Sequence, residues 1–166
     1  NKKLKSGHIT EELLANYNVG ILTLIFNKKK ILENDKISFK EQYDSIADFD
    51  FVLRCSTNNK IGAIQKPLAI YGRHNNNLSK VIISKQFSDL KNWKKDTDTI
   101  NIFSKYNNFK LINKRIQYMK IQNDIKKNYS IIKKIYIVIS HNNLIEVIKL
   151  LIHLVLPERI IKLLRR

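Results

Sequence analysis

The apolar pattern of this chain changes character near Ser79, and that change limits what it can fold into. Before it, apolar residues come in short runs. The clearest is "NVGILTLIF" at 18–26, β-branched and continuous, which predicts a buried strand. After it, apolar residues recur at helical spacing through Lys/Asn-rich segments at 82–95, 98–106, 108–128, 130–139 and 143–156. Pro157 stops the last of these and opens a short terminal segment, "PERIIKLLRR". The expectation is an α/β part over 1–78 followed by a helical extension over 79–166, with no internal repeat.

Within the first part, Thr10 with Glu11 and Glu12 predicts a capped short helix ending near Asn16. Residues 27–39 form a charged connector with a turn at Asn34-Asp35. Residues 46–57 predict a helix whose stripe is Ile46, Phe49, Val52 and Leu53. Residues 61–74 predict one or two extended segments bent at Pro67, and "NNN" at 75–77 a polar turn. With only 4 Gly and 2 Pro, long disordered linkers are not expected. The chain starts at Asn1 and its one Met is Met119, so the expectation is a piece of a longer protein. The one cysteine, Cys55, lies in an apolar run; it excludes an internal disulfide and fits a reducing compartment.

Charge narrows the partners. The net charge is +17, with +5 over residues 1–80 and +12 over 81–166. Such a surface attracts nucleic acid, anionic lipid or a phosphorylated substrate. No helix-turn-helix, zinc spacing or paired aromatic RNA motif is present, which argues against nucleic acid.

Two aspartates interrupt the apolar run "SIADFDFVLRCS" at 45–56. A buried carboxylate is costly unless paired or used. Ser45 and Asp48 match the S-x-x-D capping box, and Asp50 lies four residues before Arg54, the spacing of a helix-face ion pair. On these residues alone both acids are structural.

The neighbouring segments open a second reading. "ADFDFVLR" (47–54), then "IGAIQKPLAIYGRHNNNLS" (61–79), preceded by "ITEELLANYNVGILTLIFNKK" (9–29), resembles the C-terminal half of the catalytic domain of family 2 glycosyltransferases. The likeness spans residues 6–80, and Ala47 stands where the family often has Glu. The resemblance implies a partial GT-A-type α/β domain over 1–78 whose nucleotide-binding half lies outside the chain. It implies sugar transfer, with inversion, from a nucleotide-sugar to a hydroxyl of a bacterial surface glycan of lipopolysaccharide or capsule type.

It gives Asp48 the role of general base, with Asp50 and Arg54 as structural support. It makes His74 and Arg73 candidates for the donor diphosphate, and His74 a candidate metal ligand. It places Lys28 and Lys29 on the acceptor side. A divalent cation, Mn or Mg, is implied, its main ligands outside this chain. "DTD" at 96–98 lies in a helix-rich stretch and reads as a helix boundary with Asp98 as N-cap, not as the family's nucleotide-binding D-x-D. The fragment alone is expected to be inactive.

Residues 143–166 are the most apolar stretch, yet charge interrupts them before the length a membrane span needs. They predict an amphipathic helix that either packs on its own domain or lies on an anionic membrane, with Arg159, Lys162, Arg165 and Arg166 near the headgroups. The expected location is cytoplasmic, peripheral on the inner face of the cytoplasmic membrane. The alternative function is a basic helical module that binds nucleic acid or anionic membrane without catalysis.

Overall fold

The computed structural model describes residues 3–72, 83–127, 129–140, 147, 148, 151 and 152. The chain divides into two compact units, residues 1–114 and 115–166.

The first unit is built around helix α2, Ala47–Asn58. Asp48 and Asp50 occupy its first turn, where the helix dipole favours negative charge. Phe49, Phe51, Val52, Leu53 and Cys55 are buried, so most of its circumference is covered. The helix ends at Asn59, which turns extended and closes the last turn with its N–H to the Cys55 carbonyl at 3.2 Å. Helix α1, Thr10–Ala15, packs against it through buried Leu13 and Leu14. Thr10 is the first helical residue rather than the cap. Its hydroxyl donates instead to the Ser56 carbonyl at 2.9 Å and accepts from the Ser56 hydroxyl at 3.0 Å. A buried polar pair thereby satisfies itself while fastening α1 to α2.

The capping box is replaced too. Ser45 ends up in a 3-10 turn, Glu41–Ile46, and both its N–H and its hydroxyl donate to Asp89 Oδ2, at 3.0 and 2.6 Å. Ile46 sits at the cap position of α2 with no side-chain bond to the helix end. Asp89 belongs to helix α3, Ile83–Lys95, so the serine that was expected to start α2 holds α3 against the turn before it.

Helix α4, Thr97–Phe103, comes next, and Asp96 is its N-cap: the Asp96 side chain accepts the Thr99 N–H at 3.0 Å. Asp98 is not the cap; it lies in the first turn with its side chain 74 % exposed, paired with Lys40 at 3.4 Å. Trp93 of α3 is fully buried, its ring 5.0 Å from Phe49, 5.3 Å from Phe103 and 6.0 Å from Phe109. Edge and tilted ring contacts of this kind add to area burial. Glu11 of α1 accepts the N–H groups of Asn107 and Asn108 at 2.7 and 2.8 Å, satisfying the exposed start of the 3-10 turn Asn107–Lys110.

The expected strand at 18–26 does not form. Residues 21–23 make a single 3-10 turn, and Ile25 is 87 % exposed. The segment from Gly62 to Gly72 runs without regular structure, with Ile70 97 % exposed. Among the described residues the sole strand-like pairing is the bridge between Gly7 and Ile61, whose two bonds measure 2.8 and 2.9 Å. The α/β, GT-A-type expectation is therefore corrected: the described residues are helical and contain no sheet, whereas that domain needs a central one. The reason is physical. β-branched side chains favour strands because they pack on a pleated neighbour, and a strand's backbone groups need a second strand to bond. A composition suited to a strand cannot make one where no partner strand lies alongside.

Helix α5 spans Leu111–Lys126. Helix α6, Ile131–Ile139, starts at Ser130, whose hydroxyl accepts the Lys133 N–H at 3.4 Å. Val138 is fully buried. No helix among the described residues is long and apolar enough to cross a membrane.

Candidate functional site around Asp48

The two aspartates of α2 meet opposite environments. Asp50 is fully buried and both of its carboxylate oxygens accept hydrogen bonds from the protein. Oδ2 accepts from Arg54 Nε at 2.9 Å and from Arg54 Nη2 at 2.5 Å, and Oδ1 accepts from the Trp93 indole at 2.9 Å. Arg54 Nη2 also donates to the Ser38 carbonyl at 2.6 Å. A charged, two-point contact of this type is among the stronger hydrogen bonds in proteins. The group locks α2 to α3 and to the connector before it.

Asp48, two residues earlier, is half-buried. Its Oδ1 accepts the Phe49 N–H at 2.8 Å, and its Oδ2 lies 3.5 Å from the Tyr17 hydroxyl, at the long limit of a hydrogen bond. The Tyr17 ring meets Phe49 edge-on at 5.1 Å, which supplies an apolar flank. No cation lies within ion-pair distance of Asp48 among the described residues. This is a half-buried carboxylate with one oxygen on a backbone N–H and the other beside a tyrosine hydroxyl, next to an aromatic pair. Chemically, that arrangement can accept a proton from a hydroxyl placed against it.

The other expected site residues are not gathered here. Lys28 and Lys29 are exposed and begin the irregular helical turn Lys29–Asn34. Lys30, beside them, pairs with Asp35 at 2.8 Å. Neither Lys28 nor Lys29 has a bond to the Asp48 cluster among the described residues. His74 and Arg73 lie outside the described residues, as does most of 143–166. Among the described residues no group of three or more His, Cys, Asp or Glu is placed to hold a metal ion.

Cys55 is no competing nucleophile. Burial pushes its thiol up to about 11, only partly opposed by the Arg54 charge, and a thiolate is the reactive form. A separate open recess of about 360 Å³ is lined by Gln42, Tyr43, Asn92, Lys95 and Asp96 and does not include Asp48. There the Thr99 N–H holds the Asp96 carboxyl below its ordinary value, as expected of a helix cap.

Neither Tyr17 nor Trp93 is singled out by sequence pattern. Trp93 carried a signal: a lone tryptophan in a helical stripe needs a partner for its indole N–H once buried, and Asp50 was the nearest class of group to seek. Tyr17, in an irregular stretch after α1, carried none. Comparison with known protein families, with curated proteins and with solved structures finds no match to this chain.

Proposed function

We propose that this chain is the acceptor-side portion of an enzyme, similar to family 2 glycosyltransferases, that moves a sugar from a nucleotide-sugar to a hydroxyl of a surface glycan. The observation that carries the reading is the contrast at the start of α2: buried Asp50 is bonded by Arg54 and Trp93, while half-buried Asp48 has a backbone N–H, a long contact to Tyr17 and no ion pair among the described residues. The order of motifs from "ADFDFVLR" to "IGAIQKPLAIYGRHNNNLS" supports it. The described residues of this chain form no GT-A sheet.

In this mechanism the acceptor hydroxyl rests against Asp48. As its oxygen attacks the anomeric carbon, the proton passes to the Asp48 carboxylate. The bond from that carbon to the diphosphate breaks, and its electron pair leaves with the nucleoside diphosphate. A single displacement inverts the anomeric centre. Asp50 and Arg54 aim the helix that carries the base, and Tyr17 with Phe49 shields one side of it from water. The implied divalent cation would offset charge on the leaving diphosphate; its ligands are sought outside the described residues.

The test is Asp48→Asn in the protein that carries this chain, assayed by nucleoside diphosphate release from a panel of nucleotide-sugars with a surface-glycan acceptor. Loss of a general base lowers turnover by about 10²-fold or more. Helical circular dichroism and urea midpoint should stay at wild-type values. Near-normal turnover in the folded variant overturns the base assignment. If no nucleotide-sugar is turned over by either protein, the transferase reading itself fails.

A further inference from the structure

Helix α6 carries an apolar stripe that faces outward. Ile132, Tyr136 and Ile139 fall at i, i+4 and i+7, one face of a helix, and are 77 %, 74 % and 62 % exposed. Val138, on the other side, is fully buried, so the helix is anchored by one face and bare on the other. Ile131, at the first turn on the Val138 side, is 55 % exposed as well. Contiguous exposed apolar surface of this kind marks an interaction site more often than chance.

Charge says what kind. From residue 124 to residue 145 the sequence has four lysines, Lys126, Lys127, Lys133 and Lys134, and one acid, Asp124, which pairs with Lys127 at 2.6 Å. Residues 115–166 hold 11 basic and 3 acidic side chains, a net +8. Lys133 flanks the stripe, its ammonium over the Tyr129 ring at 4.0 Å, where the stem lies on apolar surface and the charge stays near water. An apolar strip with a basic margin is complementary to an anionic lipid surface, where acyl chains meet phosphate. Nucleic acid would use the lysines but leave four large apolar side chains in water.

The backbone agrees. A helix satisfies its N–H and C=O groups internally, so it can lie among lipid headgroups at little cost. Ser130 and Ser140 close its two ends, the latter with its N–H on the Tyr136 carbonyl at 3.0 Å. The apolar segments 18–26 and 62–72 are exposed as well, but they lack this property: no regular backbone pairing covers them among the described residues.

We propose that α6 is a docking face for an anionic membrane surface, with Ile132, Tyr136 and Ile139 entering the headgroup layer and Lys133 beside them on the phosphates. This inference is independent of the transferase reading and uses none of its residues. It is also distinct from the segment 143–166.

The experiment is co-sedimentation of this chain with vesicles of phosphatidylcholine alone or with phosphatidylglycerol. The expected result is binding to the mixed vesicles that weakens with salt, with little binding to phosphatidylcholine alone. The triple variant Ile132→Ser/Tyr136→Ser/Ile139→Ser should lower the partition coefficient about tenfold or more, with unchanged helical circular dichroism. Lys133→Glu/Lys134→Glu should lower it and flatten the salt dependence. Wild-type binding by the triple variant overturns the proposal and leaves 143–166 or unspecific charge as the contact. A dimer in light scattering that the triple variant abolishes, with no vesicle binding by either protein, assigns the stripe to a second copy and overturns it also.

Discussion

Two parts of the first unit have similar apolar content and opposite fates. Around Trp93, Phe49, Phe103 and Phe109 pack ring to ring, and Leu53 and Ile112 are fully buried. Along 18–26 and 62–72, Ile21, Leu22, Ile25, Ile64, Leu68 and Ile70 are all at least half exposed. The difference lies in the backbone rather than in hydrophobicity. A helix closes its own hydrogen bonds and can then bring a ready face to a neighbour. An extended segment has to find a partner for backbone and side chains at once, and the described residues offer one bridge, Gly7 to Ile61. Phe26 marks the border: it meets Phe51 at 5.0 Å, in line with Phe39 stacked on the same ring at 4.2 Å, while Ile25 next to it is left in water.

The comparison breaks most visibly if the packed cluster turns out not to carry the stability. Trp93→Ala removes the central ring and leaves Asp50 short of a donor; such core truncations cost about 3–5 kcal/mol. A urea midpoint shift in that range, or failure to fold, is expected. Arg54→Met is of similar size, because it strands a carboxylate that is fully buried. Removing one partner of a buried pair costs about 3–5 kcal/mol. Asp50→Asn combined with Arg54→Met removes both charges and should recover part of that loss, which separates the stranded charge from lost packing.

How far this could be read in advance obeys the same division. The helices at 82–95, 98–106, 108–128 and 130–139 are seen within a few residues as α3 to α6, because periodicity reports a structure whose bonds are local. The Asp50–Arg54 pair is local too and agrees with i,i+4 spacing. Most of the failures involve long-range choices. Ser45 bonds to Asp89, 44 residues on, instead of capping α2, and Thr10 bonds to Ser56. Asp96 rather than Asp98 caps α4, since both can take the position and only the backbone turn decides. The strand at 18–26 failed because propensity describes a segment, whereas a strand is a relation between two. At the candidate site, Asp48 was legible as an acid at a helix start; its Tyr17 neighbour, 31 residues earlier, was not.

A smaller effect tests the margin of the packed region. Asp96→Ala removes the cap of α4 and should cost about 1 kcal/mol at neutral pH, while Asp96→Asn, another good cap, should cost less. The Thr99 N–H holds the folded carboxyl below its ordinary value. The stabilisation is thus complete above the unfolded value and fades as pH falls through the lowered folded one. Urea melts at pH 7 and at about pH 3 should show the wild-type advantage over Asp96→Ala shrinking in acid. An advantage that is constant with pH would mean that the charge plays no part in the cap.

The smallest expected effect is the sharpest on the exposed segments. Ile25→Thr and Ile70→Thr keep the β-branch and remove apolar surface that is 87 % and 97 % exposed. Surface substitutions of this type stay within about 0.5 kcal/mol. Two near-silent changes at isoleucine, beside a tryptophan in the same unit whose loss unfolds it, would show that the fold of this chain does not use its most strand-like residues. A cost above about 1 kcal/mol at either position would mean that the segment buries its side chains in solution. The division between packed helices and bare extended runs would then collapse. The two outcomes also differ in what they say of the extended runs. If they are silent in stability yet their substitution lowers solubility or turnover in the protein that carries this chain, their apolar surface serves contact rather than folding, which is the usual meaning of apolar area left in water.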